Sequence, residues 1–298
     1  MHRSLAAWLI ENPWQAAVVA ACLGMLSLQG AMAFVIFASA IPVLITLEQG
    51  PRVGGNVVLA IGVAVTGALM WYQQALWLAL SYTLVLFGLP TLLGELLRRS
   101  GSLNLVFQLG LVLALLAVAM VFLFVPQPNA LWEQVLGSAF VAISQSGIQL
   151  DATLVPQLAR TMWGAMVAIL LLAILSTVFL ARWWQSLIHE PGAFGREFVE
   201  LRSGVTLGVM LVLIVLAALF THLSWLDCMA WIAMLGLALQ GLASAHRRKV
   251  EGQLPRGWLV AIYVMMIVPL FSFVTVALLA GWGLADFWRR LRITSLRT

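Results

Sequence analysis

The chain has 298 residues, of which 63% are hydrophobic and only 9% charged, and its mean hydropathy is +1.03. An average soluble domain carries roughly 25% charged residues, and one membrane crossing takes about 20 apolar ones, so this composition allows at most about nine crossings and excludes a soluble enzyme, a disordered chain and a disulfide scaffold. The net charge of +5 is not a nucleic-acid footprint, because the arginines fall in short clusters between apolar runs instead of on one face.

Apolar runs over Ala16–Leu28 and Ala31–Leu47 come first, joined across Gln29-Gly30 as either a tight hairpin or a broken helix. Glu11 and the length of the run argue for an uncleaved anchor over a cleaved leader, despite Ala38-Ser39-Ala40. Val57–Tyr72 and Ala75–Leu97 follow, separated at Gln73-Gln74, and then Leu103–Val125. The stretch from Pro126 to Pro156 does not span. Within it Trp132, Val135, Leu136, Ala139, Phe140 and Ile143 make one helical face, which predicts an interfacial helix or a cap over a cavity. Leu158–Leu180, Gly204–Leu223, Met229–Ala245 and an overlong Trp258–Trp288 containing Pro269 complete the series. In lipid such runs must be helical, since each backbone group needs an internal partner. The expected fold is an all-α polytopic membrane protein, a single domain over 1–298 with about eight to nine transmembrane helices plus interfacial amphipathic helices.

Orientation follows from Arg98-Arg99, the 182–203 segment and the basic loop 246–257, which are expected on the cytoplasmic side, with 126–156 outside. The C-terminal arginines stay open. One crossing from Trp258 puts them outside, and a reversal near Pro269 puts them inside.

Catalytic patterns are absent. His189-Glu190 lacks the second His of a zinc-protease helix, and there is no Gly-x-Ser-x-Gly or Gly-x-x-x-x-Gly-Lys. Cys22, Cys228 and the four histidines show no metal-ligand spacing. No enzyme activity, cofactor or metal is expected. Polar residues inside the spans carry the functional interest. Local readings serve for most of them. Glu95 can pair with Arg98 and Arg99, Arg160 can snorkel, Asp227 can start a helix, and Asp286 lies one turn before Arg289 and Arg290. Gln29, Gln108 and Gln240 either bond across helices or line a solute cavity. Gly204-x-x-x-Gly208 permits close approach of a neighbouring helix.

The most distinctive stretch runs from Arg182, Trp183, Trp184 and Gln185 through Pro191-Gly192 to Phe194, Glu197, Phe198, Leu201 and Arg202. Phe194, Phe198 and Leu201 share a helical face, which predicts an amphipathic cytoplasmic helix that either anchors on lipid or docks a cytoplasmic partner. Its acidic Glu197 and Glu200 gain nothing from anionic lipid, which favours docking. This run resembles the uncharacterised bacterial membrane proteins called YybS-like. So do Leu239-Gln240-Gly241-Leu242-Ala243 with its following basic loop, Gly283-Leu284-Ala285-Asp286-Phe287-Trp288-Arg289-Arg290, and the early Ile41-Pro42-Val43 before Gly50. The chain is also similar, more distantly, to S-components of energy-coupling-factor transporters and to cell-shape proteins of the MreD type. The resemblance implies a multi-pass protein of the bacterial inner membrane. Two functions follow as expectations: an S-component-like solute-binding or transport subunit without its own energy source, and an envelope assembly protein docking a cytoplasmic or membrane partner.

Overall fold

The computed structural model describes residues 2–28, 33–71, 76–146, 151 and 153–295, and every regular element among them is helical. Among the described residues six helices are long and apolar enough to cross a membrane, or seven if the bent N-terminal pair is one span. This falls short of eight to nine, because Ala33–Gln49, Val205–Thr221 and Gly257–Ile267 have at most 17 residues, below the roughly 20 a crossing takes. The chain forms two compact units, Met1–Val106 with Leu172–Phe198, and Phe107–Leu171 with Val199–Thr298. The junctions expected at Gln29-Gly30 and Gln73-Gln74 lie outside the described residues.

In the first unit α1 (His2–Glu11) and α2 (Pro13–Ser27) meet at 111°, where Pro13 opens the second helix. The centre is α3 (Ala33–Gln49), buried residue by residue from Ala38 to Leu47, as a helix apolar on all sides should be. Pro42 within it cannot donate a backbone bond, while its carbonyl accepts the Thr46 hydroxyl at 2.8 Å. Around α3 pack α2, α4 (Pro51–Trp71) and α6 (Leu89–Ser100). A Cβ on Gly94 would stand 2.8 Å from Val43, so α6 approaches α3 as closely as glycine allows. One span runs over Leu76–Ser100, as α5 (Leu76–Thr83), a π-helical turn at Leu84–Gly88, and α6. The π turn sits just ahead of Pro90, whose missing N–H breaks the ordinary ladder.

The second unit receives most of α7 (Leu103–Phe124), then α8 (Pro128–Gln145) and the first half of α9 (Leu154–His189), which continues into the first unit. Ahead of α9, the Thr153 hydroxyl and, with it, the Thr153 N–H at 2.9 Å donate to Asp151 and lower the pKa of its carboxyl. The predicted interfacial helix is α8. It buries no residue fully and is held at its start by Trp163 Nε1 donating to the Pro128 carbonyl (2.7 Å) and by Asn129 donating to Ser224 (3.2 Å). After the short α10 (Ala193–Val199), which lies in the first unit up to Phe198, α11 (Val205–Thr221) returns along α12 (Ser224–Val250), the most buried of the six long apolar helices.

The C-terminal ambiguity resolves here. The Val268 backbone is extended, and α13 (Arg256–Ile267) gives way to α14 (Pro269–Ser295) at the proline. Trp231 meets Phe273, while Arg247 pairs with Asp286, so α14 runs in the same direction as α12. The chain therefore reverses near Pro269, and Arg289 lies toward the same end as Arg247. The crossing of α12 and α14 is built on glycine. A Cβ on Gly241 would press into the Leu279 carbonyl, and one on Gly283 into the Leu237 carbonyl. Gly208 likewise accepts the Phe287 ring, the close approach its spacing predicts.

Candidate functional site

Two polar clusters stand out in a chain this apolar. In the second unit the segment after α10 is tied to three helices. Gln108 Nε2 on α7 donates to the Arg202 carbonyl at 3.1 Å. Ser203, 1% exposed, donates its N–H (3.2 Å) and its hydroxyl (2.9 Å) to Gln240 Oε1 on α12, and Gln240 Nε2 reaches the Gly283 carbonyl on α14 at 3.4 Å. Two turns further along α12, Arg247 donates to Asp286 at 2.6 Å, to Ser244 at 3.3 Å and to the Val199 carbonyl at 3.3 Å. Asp286 thus takes a partner from another helix, beyond what its own spacing names. Gln108 and Gln240 serve as bonds that fix this loop against the bundle. Gln29 lies outside the described residues. At the opposite end of α12, Arg160 donates to the His222 carbonyl and to Asp227 at 3.3 Å, so its head is paired within the protein.

The second cluster closes one end of the first unit. Leu47 at the end of α3, Leu97, Arg98 and Gly101 at the end of α6, and Arg182 and Gln185 on α9 line a cavity of about 190 Å³. Leu47 and Leu97 are buried and form its floor, while Arg98 and Gly101 are exposed at its mouth. Gly50 has φ +93°, and a Cβ there would stand 3.3 Å from Arg98 Nη1, so the guanidinium lies over bare backbone. Glu95 pairs with Arg99 at 2.6 Å and with Arg98 at 3.5 Å, as its spacing predicts. Arg182 makes a two-pronged pair with Glu197, with Nε to Oε2 at 3.0 Å, and donates Nη1 to Gln185 Oε1 at 2.6 Å. His189 reaches Glu48 at 3.0 Å, and Arg196 pairs with Glu190.

The 182–202 motif is therefore folded onto its own unit along most of its length. Arg182, Trp183, Trp184 and Gln185 belong to α9, and Trp184 is buried. Pro191 and Gly192 form the predicted turn, Gly192 with φ +91°. Helix α10 stops at Val199, short of the predicted register, so Leu201 is buried beyond its end and Arg202 follows exposed. Phe194 and Phe198 stack against Phe179 of α9 with ring centroids 6.1 and 5.8 Å away.

Comparisons with protein families, curated proteins and solved structures return no match. Two of the distinctive sequence motifs meet in space. Leu239–Ala243 and Gly283–Arg290 form the α12–α14 crossing, with Gln240, Gly241, Gly283 and Asp286 as its contacts. Sequence reasoning missed the cavity. Arg98 reads as a topology marker, Leu47 and Leu97 read as the ends of apolar runs, and only the fold brings them to Arg182.

Proposed function

We propose that the chain is a multi-pass subunit of a bacterial inner membrane that binds a small solute at the end of its first unit and relies on another protein for energy. The observation that carries this reading is the cavity between α3, α6 and α9, with an apolar floor and convergent polar groups at its mouth. The sequence has no nucleotide-binding motif, so any transport draws on an energy source outside this chain. The reading takes the six long apolar helices, α4, α5–α6, α7, α9, α12 and α14, as crossings, with the bent α1–α2 pair and the shorter α3, α11 and α13 completing the passes between them. The α13–α14 reversal then returns the C-terminal arginines to the cytoplasmic side. Arg98 and Arg182 share one cavity, and Arg247 meets Val199, which supports placing the basic segments of each unit on one side. The docking alternative draws less from the geometry: Arg182, Glu197, Arg196 and Glu190 pair with one another, and the phenylalanines pack on α9.

Native mass spectrometry of the full chain released from membranes tests the reading. A small molecule should remain bound near one per chain and disappear in Gln185→Trp, whose indole fills the cavity from a half-buried position. Retention of that molecule in a folded Gln185→Trp protein, or its absence from the parent chain, counts against solute binding at this site.

A further inference from the structure

Resting on that solute-binding reading, we infer that the cavity takes a phosphate group, held between Arg98 and Arg182. The charged side chains that line it are both arginines, and the third polar group is Gln185. Gln185 Oε1 already accepts from Arg182, so what the amide still offers is its NH₂, a donor. Among the described lining residues the polar groups are donors, while Glu197, Glu190 and Glu48 act on Arg182 from outside the lining. Guanidinium groups suit tetrahedral phosphate oxygens because they present paired N–H donors in a planar fork.

Each arginine is prepared for this differently. Arg98 is held over Gly50, and its pairing to Glu95 through Nη1 is long at 3.5 Å, which leaves it room to turn toward a ligand. Arg182 is clasped by Glu197, so an incoming phosphate must compete with that carboxylate for the guanidinium. Glu197 is therefore a built-in competitor that sets the affinity. The size fits a small group: about 190 Å³ is below the roughly 300–1,000 Å³ of drug-sized pockets. A phospholipid headgroup and a free phosphate-bearing solute share this chemistry. The apolar floor at Leu47 and Leu97 tolerates the carbon skeleton of either.

The experiment uses the full chain in a zwitterionic detergent, with two probes measured separately: inorganic phosphate by equilibrium dialysis, and phosphatidylglycerol by native mass spectrometry. Arg98→Gln removes one clamp at an exposed position and should weaken binding about tenfold or more. Glu197→Gln frees Arg182 and should tighten binding by a similar factor, a gain that a merely structural ion pair would not give. Circular dichroism and melting confirm that each variant is folded. Binding of phosphate with this pattern identifies a soluble ligand, and binding of phosphatidylglycerol alone identifies a lipid headgroup; both support the inference. Absence of binding by either probe, or binding indifferent to both substitutions, overturns it. Glucose, glycerol and nicotinamide are run alongside. If one of these binds and Gln185→Trp abolishes it while the phosphate probes fail, the ligand class is wrong and the solute-binding reading stands. If no probe binds and nothing co-purifies, both fall.

Discussion

Gly241→Ala is the sharpest test of the packing, because the added Cβ would meet backbone and not a movable side chain. It would stand 2.9 Å from the Leu279 carbonyl carbon, closer still to the oxygen, and 3.0 Å from the Gly283 nitrogen, where ordinary contact begins at 3.4 Å. Neither helix can yield locally, so α12 and α14 must separate by on the order of 1 Å, stretching the Gln240–Gly283 bond that is already 3.4 Å long. Overpacking against rigid backbone costs about 3 kcal/mol, and the better helix propensity of alanine returns about 1, leaving a net loss of about 2 kcal/mol. Gly281 is the control: it lies on α14, the other helix of the crossing, is exposed, and has nothing within 4 Å of its would-be Cβ. Gly281→Ala should therefore stabilise by up to about 1 kcal/mol. Equilibrium unfolding in mixed micelles, followed by tryptophan fluorescence, measures both. Opposite signs are expected, and equal effects, or a stabilised Gly241→Ala, would refute the close crossing.

Other consequences are as direct. Gln240→Leu strips the buried Ser203 N–H and hydroxyl of their acceptor and should cost about 1–3 kcal/mol in the same assay, while leaving ligand retention unchanged. Arg247→Gln should destabilise by up to about 3 kcal/mol because it leaves Asp286 largely buried without this partner, and the swap of Arg247→Asp with Asp286→Arg should recover part of that loss. In a chain lacking Cys22 and Cys228, Ser144→Cys should react with an impermeant maleimide in intact cells and Gly195→Cys should not. Both positions are exposed, so equal labelling would sink the arginine-based orientation.

Local chemistry was legible in the sequence. The span expected over Leu103–Val125 is found at Leu103–Phe124, and the Glu95 pairing with Arg98 and Arg99 follows from spacing alone. What was not legible depends on contacts between distant segments. Asp286 pairs with Arg247, thirty-nine residues back, a partner that local spacing does not name, because the glycine crossing brings α14 onto α12. The reversal near Pro269 could be named as an option, but only packing against Trp231 and Arg247 chooses it. Helix α10 ends before Leu201 because Arg202 and Ser203 are bonded to Gln108 and Gln240, a tertiary constraint that the i, i+4, i+7 pattern does not contain. The cavity was invisible for the same reason: each of its residues has an ordinary local reading.

The central claim is that the cavity of the first unit holds a small molecule, and a density map of the full chain purified with its native contents reaches it most directly. At a resolution that shows arginine side chains, the map should contain compact non-protein density bounded by Arg98, Arg182 and Gln185, above Leu47 and Leu97. A map with those side chains equally clear and only solvent between them would contradict the account.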